Sequence, residues 1–371
     1  MWIIYTAIII VAVLVTLKIG MRIVYHKRAQ NLRPLEGTVA VITGGSAGIG
    51  QATIEALLRK GVRVIACSRD SAKVKEVGIP SFIAGLQAEM AGDYQGKRAD
   101  PELISKWIGQ IQQGSWDADG NFISERFTFR KIDLSDLKDV EHFATYLNTL
   151  NIRIDMLINN AGGIFKQYRT TKQGFEWTMG VNHFSHYYLT DLLLPLMNNH
   201  GRILNLSSYA SKIAAAAKLK DPMDMESFLH MKKSDYNLMT AYSYSKLANV
   251  FFAKGLNTLL QTKNIPVKAV SIHPGTVDTD FISRAESVGK IVKNALLPII
   301  WAVFKTMEEG AQCTLQCAFE NYDDLQGGAY YSDCKVEKKN PVVTDANTDE
   351  FMAKSLELCQ RIGHVQIKNI K

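Results

Sequence analysis

"GTVAVITGGSAGIGQATIEALLRKG", residues 37–61, decides the fold. Thr38 to Ile42 is a short run rich in β-branched residues, as a buried strand requires. Glycines then crowd in. From Gln51 to Arg59 apolar residues recur at helical spacing, and Gly61 stops the helix. Strand, glycine-rich turn and helix therefore follow in order. A helix amino terminus offers unpaired N–H groups and the positive end of its dipole. Gly44, Gly48 and Gly50 remove the side chains that would hold a diphosphate away from those groups.

The next strand, "VRVIAC" (62–67), ends about 20 residues after the glycines, where dinucleotide-binding folds read the adenosine ribose. Ser68 stands at its tip in place of a carboxylate. Arg69 follows and suits the 2′-phosphate of NADP, while Asp70 keeps NAD open. Further strands are expected near 127–132, 155–159, 202–207, 267–272 and 329–332, with helical stretches between them. This alternation predicts an α/β domain over 37–362 with one doubly wound parallel sheet and helices on both faces. A cofactor would sit at the strand carboxyl ends.

The chain has 371 residues, 47% hydrophobic and 21% charged, which suits a large core and excludes bulk disorder. Its net charge of +7 suits an anionic cofactor or membrane surface. The basic residues are scattered and form no nucleic-acid motif. Five dispersed cysteines, with no CxxC, argue for a reducing compartment without a disulfide framework or structural zinc. His183 and His186 are three apart, but no carboxylate or cysteine joins them, so no metal site is expected. Residues 1–17, "MWIIYTAIIIVAVLVTL", carry no charge, and Lys18, Arg22, Lys27, Arg28 and Arg33 follow. Extended to Met21, the run reaches about 30 Å as a helix and predicts a transmembrane anchor over 1–21. A basic linker over 22–36 then places the domain in the cytosol.

Two segments interrupt the simple alternation. Residues 77–125 form an insertion containing "DPELISKWIGQIQQG" (100–114), with Asp100 as N-cap, Pro101 in the first turn and Gly114 as the stop. Leu103, Ile104, Trp107, Ile108 and Ile111 make one apolar stripe that would pack back onto the domain. Residues 209–240 form a long connection near the expected substrate entrance. The apolar run "ALLPIIWAVF" (295–304) is too short to span a bilayer; it reads as a lid, a membrane-surface contact or a core helix.

"AYSYSK" (241–246) holds the chemistry. On a helix Tyr242 and Lys246 share a face, whereas Tyr244 points elsewhere. A phenol titrates near about 10. An adjacent ammonium would favour the phenolate.

Six motifs now occur in order: "TGGSAGIG" (43–50), "INNAG" (158–162), "VNHFSHYYLT" (181–190), "RILNLSSYA" (202–210), "AYSYSKLAN" (241–249) and "SIHPGTVDTD" (271–280). Together they resemble the short-chain dehydrogenase/reductases, whose domain is a Rossmann-type sheet. "AYSYSKLAN", the histidine of "HPG" and "GGAYYSDCKVEKKNP" (327–341) are most similar to the retinol dehydrogenase and WW-domain-containing oxidoreductase-like subgroup.

The resemblance implies a catalytic set of Asn182, Ser208, Tyr242 and Lys246. Tyr242 would be the general acid/base, Lys246 its partner on the nicotinamide ribose, Ser208 a hydrogen-bond donor to substrate, and Asn182 the holder of a linking water. Gly44, Ser46, Gly48, Ile49 and Gly50 would wrap the diphosphate, and Arg69 would meet the adenosine end. Asp133 would touch adenine, Asn160 would lie along the cofactor and Thr276 would meet the carboxamide. The adjacent Ser207 faces the opposite way on an alternating strand.

The expected protein is thus a membrane-anchored, NADP(H)-dependent oxidoreductase of lipophilic alcohols or carbonyls such as retinoids, steroids or polyprenoids. Endoplasmic reticulum and lipid droplet are the membranes implied, and a homodimer through the Tyr242 helix stays open. The alternative is a catalytically silent dinucleotide-binding scaffold or redox sensor at a membrane surface. The residues beyond 362 are read as a tail.

Overall fold

The computed structural model describes residues 35–91, 100–216, 233–277, 304–338 and 340–371, with isolated positions before residue 35. The span expected over 1–21 therefore lies outside the described residues, apart from isolated positions, and so do residues 217–232 and 278–303. Among the described residues no helix is long and apolar enough to cross a membrane.

The β-branched run after Thr38 forms β1 (Val39–Thr43), with all but its first residue buried. In chain order it is joined by β2 (Arg63–Ser68), β3 (Ser115–Trp116), β4 (Phe122–Ile123), β5 (Phe127–Lys131) and β6 (Ile154–Asn159). β7 (Met197–Leu206), β8 (Val267–His273), β9 (Tyr330–Ser332) and β10 (Lys335–Val336) complete the sheet. Their order is β10-β9-β8-β7-β6-β1-β2-β5-β4-β3. From β9 to β5 every neighbour is parallel. Strand order reverses between β1 and β6, and at such a switch point the carboxyl ends open a ligand crevice.

The wholly parallel sheet expected from sequence is corrected at both edges. β4 pairs antiparallel with β5, and β3 with β4. Between β3 and β4, Asp117 Oδ1 accepts from the N–H groups of Asp119 (3.0 Å) and Asn121 (2.8 Å), which folds the insertion into a hairpin. At the other edge, Asp333 and Cys334 have φ of 48° and 59°, the two left-handed positions of a tight hairpin turn that returns β10 antiparallel to β9.

Helices cover both faces. α1 (Gly48–Leu58), α2 (Ile79–Ala91), α3 (Pro101–Gln112) and, from further along, Met307–Phe319 cover one. α4 (Leu137–Thr149), α5 (Ser185–Leu193), Leu238–Thr262 and Asp345–Arg361 cover the other. With α6 (Ala210–Ala216) between them, the three later helices are α7 (Leu238–Thr262), α8 (Met307–Phe319) and α9 (Asp345–Arg361).

α3 starts as its sequence predicts: Asp100 Oδ1 accepts from Glu102 N–H at 3.0 Å, with Pro101 in the first turn. Ile104, Trp107 and Ile111 are buried against the domain. Gly61, at φ 75°, accepts the Trp107 ring so closely that a Cβ there would lie 2.7 Å from Trp107 Cζ2. The Arg126 guanidinium lies over that ring, 5.1 Å from its centroid, and donates to the Gly61 carbonyl. The chain beyond residue 362 packs on α5. The Asp191 carboxylate accepts from the N–H groups of Lys368 (3.0 Å), Asn369 (2.5 Å) and Ile370 (2.9 Å), while Ile367 and Ile370 are buried.

Candidate active site

The turn after β1 is shaped by its glycines. Gly44 has φ 72°, and a Cβ there would lie 2.8 Å from Ala161 Cα on the neighbouring strand tip. A Cβ on Gly50 would strike the Gly44 carbonyl. Asn160 Nδ2 donates to the Thr43 carbonyl at 2.8 Å, so the β6 tip braces the turn from beneath. α1 begins at Gly48 with no side-chain cap and no acidic residue in its first turn. Its first N–H groups and dipole thus suit an anion, with Ser46 and Ile49 half-buried alongside. This cradle fits the diphosphate of a dinucleotide.

At the β2 tip Arg69 is exposed. Asp70 is engaged elsewhere: its Oδ1 accepts from Lys73 N–H at 2.9 Å and caps the following turn. Asp133, after β5, accepts from Ser135 N–H at 3.0 Å and is half-buried. Thr276 is exposed after β8, its carbonyl accepting from Lys305 N–H at 2.8 Å.

Tyr242 and Lys246 lie one turn apart on α7, and β7 delivers Ser208 to them. The Ser208 hydroxyl lies near enough to the Tyr242 phenol to lower it. Ser207 faces away, donating to the Lys246 carbonyl at 2.6 Å. Lys246 Nζ donates to the Leu206 carbonyl at 3.1 Å and lies 5.7 Å from the Tyr242 ring centroid. Tyr244 is buried in the core. Asn182 sits in a π-helical turn, Gly180–Phe184, that leads into α5. Its Nδ2 donates to Ser245 Oγ (2.9 Å) and the Gly163 carbonyl (3.1 Å), and its Oδ1 accepts from Gly163 N–H (3.1 Å). Gly162 lets these groups converge: a Cβ there would lie 2.9 Å from Asn182 Oδ1 and 3.3 Å from Lys246 Nζ. The structure thus gathers Asn182, Ser208, Tyr242 and Lys246 at one end of the sheet, beside the glycine turn. Arg69, Asp133 and Thr276 are set around its margin.

The electrostatics differ from the sequence expectation in one respect. Burial raises the Tyr242 phenol above its usual value, opposed by the Ser208 hydroxyl. Burial also lowers the Lys246 ammonium to about 8. Lys246 Nζ is directed at the Leu206 carbonyl, and burial is the larger influence on the Tyr242 phenol. Sequence reasoning gave no role to Thr43, Asn249 or His273. Asn249 Nδ2 donates to the carbonyls of Asn182 (3.1 Å) and Leu206 (2.9 Å), joining the asparagine turn to the strand that carries Ser208. His273 Nδ1 accepts from the N–H groups of Tyr209 (3.2 Å) and Gly275 (3.3 Å) and so ties the loops after β7 and β8. The helical spacing of Asn249 from Tyr242 and Lys246 was the one available signal for it.

This fold and site define a dinucleotide-dependent oxidoreductase, and comparison with known proteins agrees. The short chain dehydrogenase family matches residues 38–112 and 109–218. Human retinol dehydrogenase 14 is 31% identical over 88% of this chain and 87% of its own length. Bovine retinol dehydrogenase 12 is 33% identical over 85% and 84%. Mouse polyprenol dehydrogenase is 30% identical over 81% and 77%. Among solved structures, an uncharacterized protein from Mycobacterium paratuberculosis superposes with a TM-score of 0.60 at 25% identity, covering 89% of this chain and 96% of its own. L-sorbose reductase from Gluconobacter frateurii shares the fold at a TM-score of 0.55 and 18% identity, over 81% of this chain and 96% of its own. The chain belongs to the short-chain dehydrogenase family. It is an NAD(P)-dependent enzyme of CH–OH groups, resembling the retinol and polyprenol dehydrogenases.

Proposed function

We propose that this enzyme is membrane-anchored and interconverts a lipophilic alcohol and its carbonyl with NADP(H), using Tyr242 as general acid/base. The observation that carries this reading is the convergence of Ser208 and Tyr242, with Lys246 Nζ 5.7 Å from the Tyr242 ring centroid. Gly44, Gly48 and Gly50 would hold NADP(H), which would supply or take the hydride. In reduction, Tyr242 gives its proton to the substrate oxygen while Ser208 donates a second hydrogen bond to the developing alkoxide. In oxidation, the tyrosinate removes the hydroxyl proton. Lys246 opposes the negative charge on the phenolate, and Asn182 orders the polar groups behind it.

Preference for NADP is supported by the capping role of Asp70, which engages the nearby carboxylate and leaves Arg69 exposed for a 2′-phosphate. A lipophilic substrate is supported by apolar side chains beside Ser208 and Tyr242: Tyr209, Ile213 and Met239 are 56%, 47% and 43% exposed. The names of the retinol and polyprenol relatives point the same way. Anchoring rests on the uncharged run at 1–17 and the basic residues after it. Detergent-solubilised full-length protein tests the reading when given NADPH or NADH with retinal, a steroid ketone, a long-chain aldehyde and a polar sugar ketone. NADPH oxidation with an apolar carbonyl is expected. Turnover confined to the polar ketone, or none with any carbonyl, would overturn it.

A further inference from the structure

His186 is buried on α5, four residues after Asn182, and the proposed chemistry does not use it. Its Nε2 lies 2.8 Å from Thr43 Oγ1. The same hydroxyl oxygen accepts from the N–H groups of Asn160 (3.0 Å) and Ala161 (2.9 Å). A hydroxyl has two lone pairs and one proton. With both lone pairs taken by amides, the Thr43 proton points at His186, so Nε2 accepts and carries no hydrogen. The ring's own proton is then on Nδ1, which lies 3.2 Å from the Asn182 carbonyl and donates to it. Burial lowers the ring to about 4, and the Lys246 charge adds to this, so the ring is neutral at ordinary pH.

We propose that His186 is a positioning residue: as a fixed Nδ1–H tautomer it ties the strand tip beneath the cofactor turn to the turn that holds Asn182. Thr43 sits under Gly44 and holds the amides of Asn160 and Ala161; Asn182 sits beside Lys246. The imidazole spans them with one acceptor and one donor. The two ring nitrogens are used in opposite senses. Its kinetic consequences rest on the function proposed above; its tautomer does not.

Two substitutions separate the ends. His186→Asn keeps a donor near the Nδ1 position and withdraws the acceptor from Thr43. His186→Gln keeps an acceptor near the Nε2 position and withdraws the donor from Asn182. In the full-length protein, His186→Asn is expected to raise the NADPH Kd about tenfold with kcat within about threefold, on the scale of one hydrogen bond. His186→Gln is expected to do the reverse, lowering kcat about tenfold with Kd held. Equal effects of both on one constant, or wild-type values throughout, would overturn the proposal. A ring 15N spectrum of the wild-type protein stands even where a variant fails to fold: the Nδ1–H tautomer is expected, and Nε2–H would overturn it. Tautomer and Kd need no turnover, so a protein that binds NADPH and holds this ring yet reduces no carbonyl would defeat the proposed function alone.

Discussion

Replacing Thr43 by valine tests whether the hydroxyl at the β1 tip holds the site together. Valine keeps the shape and removes the oxygen. The backbone N–H groups of Asn160 and Ala161 lose their acceptor, and His186 Nε2 loses its donor. Thr43 is fully buried, so water cannot substitute without the strand tips parting. A buried unsatisfied polar group costs about 1–3 kcal/mol, so the two amides alone cost about 2–6 kcal/mol. That is a large share of the roughly 5–15 kcal/mol that holds a domain folded. Thr43→Ser keeps the hydroxyl and loses one methyl, at about 1 kcal/mol. Urea unfolding followed by tryptophan fluorescence gives both values from the midpoints, provided the slopes match. If Thr43→Val unfolds within about 1 kcal/mol of Thr43→Ser, the hydroxyl does not carry the two amides and the reasoning fails.

Three further outcomes are expected. Reduction needs a protonated Tyr242 and a charged Lys246; burial raises the first and lowers the second to about 8. Reductive kcat should therefore hold from about pH 6 to about pH 8 and fall above it as Lys246 loses its proton, while oxidation, which needs the phenolate, gains with pH; a reductive rate that climbs above about pH 8 would contradict this. Arg69→Ala should cut the NADPH-over-NADH ratio of kcat/KM about tenfold to a hundredfold, the worth of a charged hydrogen bond, whereas Asp70→Ala should change it less than about threefold. Trp107→Ala should cost about 3–5 kcal/mol in urea unfolding, because the ring is 3% exposed against Gly61 and Arg126; an unchanged midpoint would mean the insertion folds apart from the domain.

What the sequence made legible was local. The central strands declared themselves by β-branched runs, and Asp100, Pro101 and Gly61 marked helix ends by the chemistry of caps and left-handed φ. The spacing of Tyr242 and Lys246 placed them on one face of α7. The two-residue strands Ser115–Trp116 and Phe122–Ile123 were not legible as strands, since two residues show no alternation. The turn between them is made by Asp117, which accepts from Asn121 N–H, and by Gly120 at φ 80°. The π-helical turn at Asn182 was hidden because its partner Asn249, 67 residues on, becomes a neighbour only after folding. Sequence spacing could place Lys246 beside Tyr242 but could not show the burial that raises the phenol.

The central claim, that Tyr242 moves the proton, is tested most directly by Tyr242→Phe in the full-length protein. NADPH titration by fluorescence should give a Kd within about twofold of wild type, because the phenolic oxygen is not part of the glycine turn. Turnover of the best apolar carbonyl should fall by about 10²–10⁴-fold. Turnover within about tenfold of wild type, with binding intact, would contradict the account.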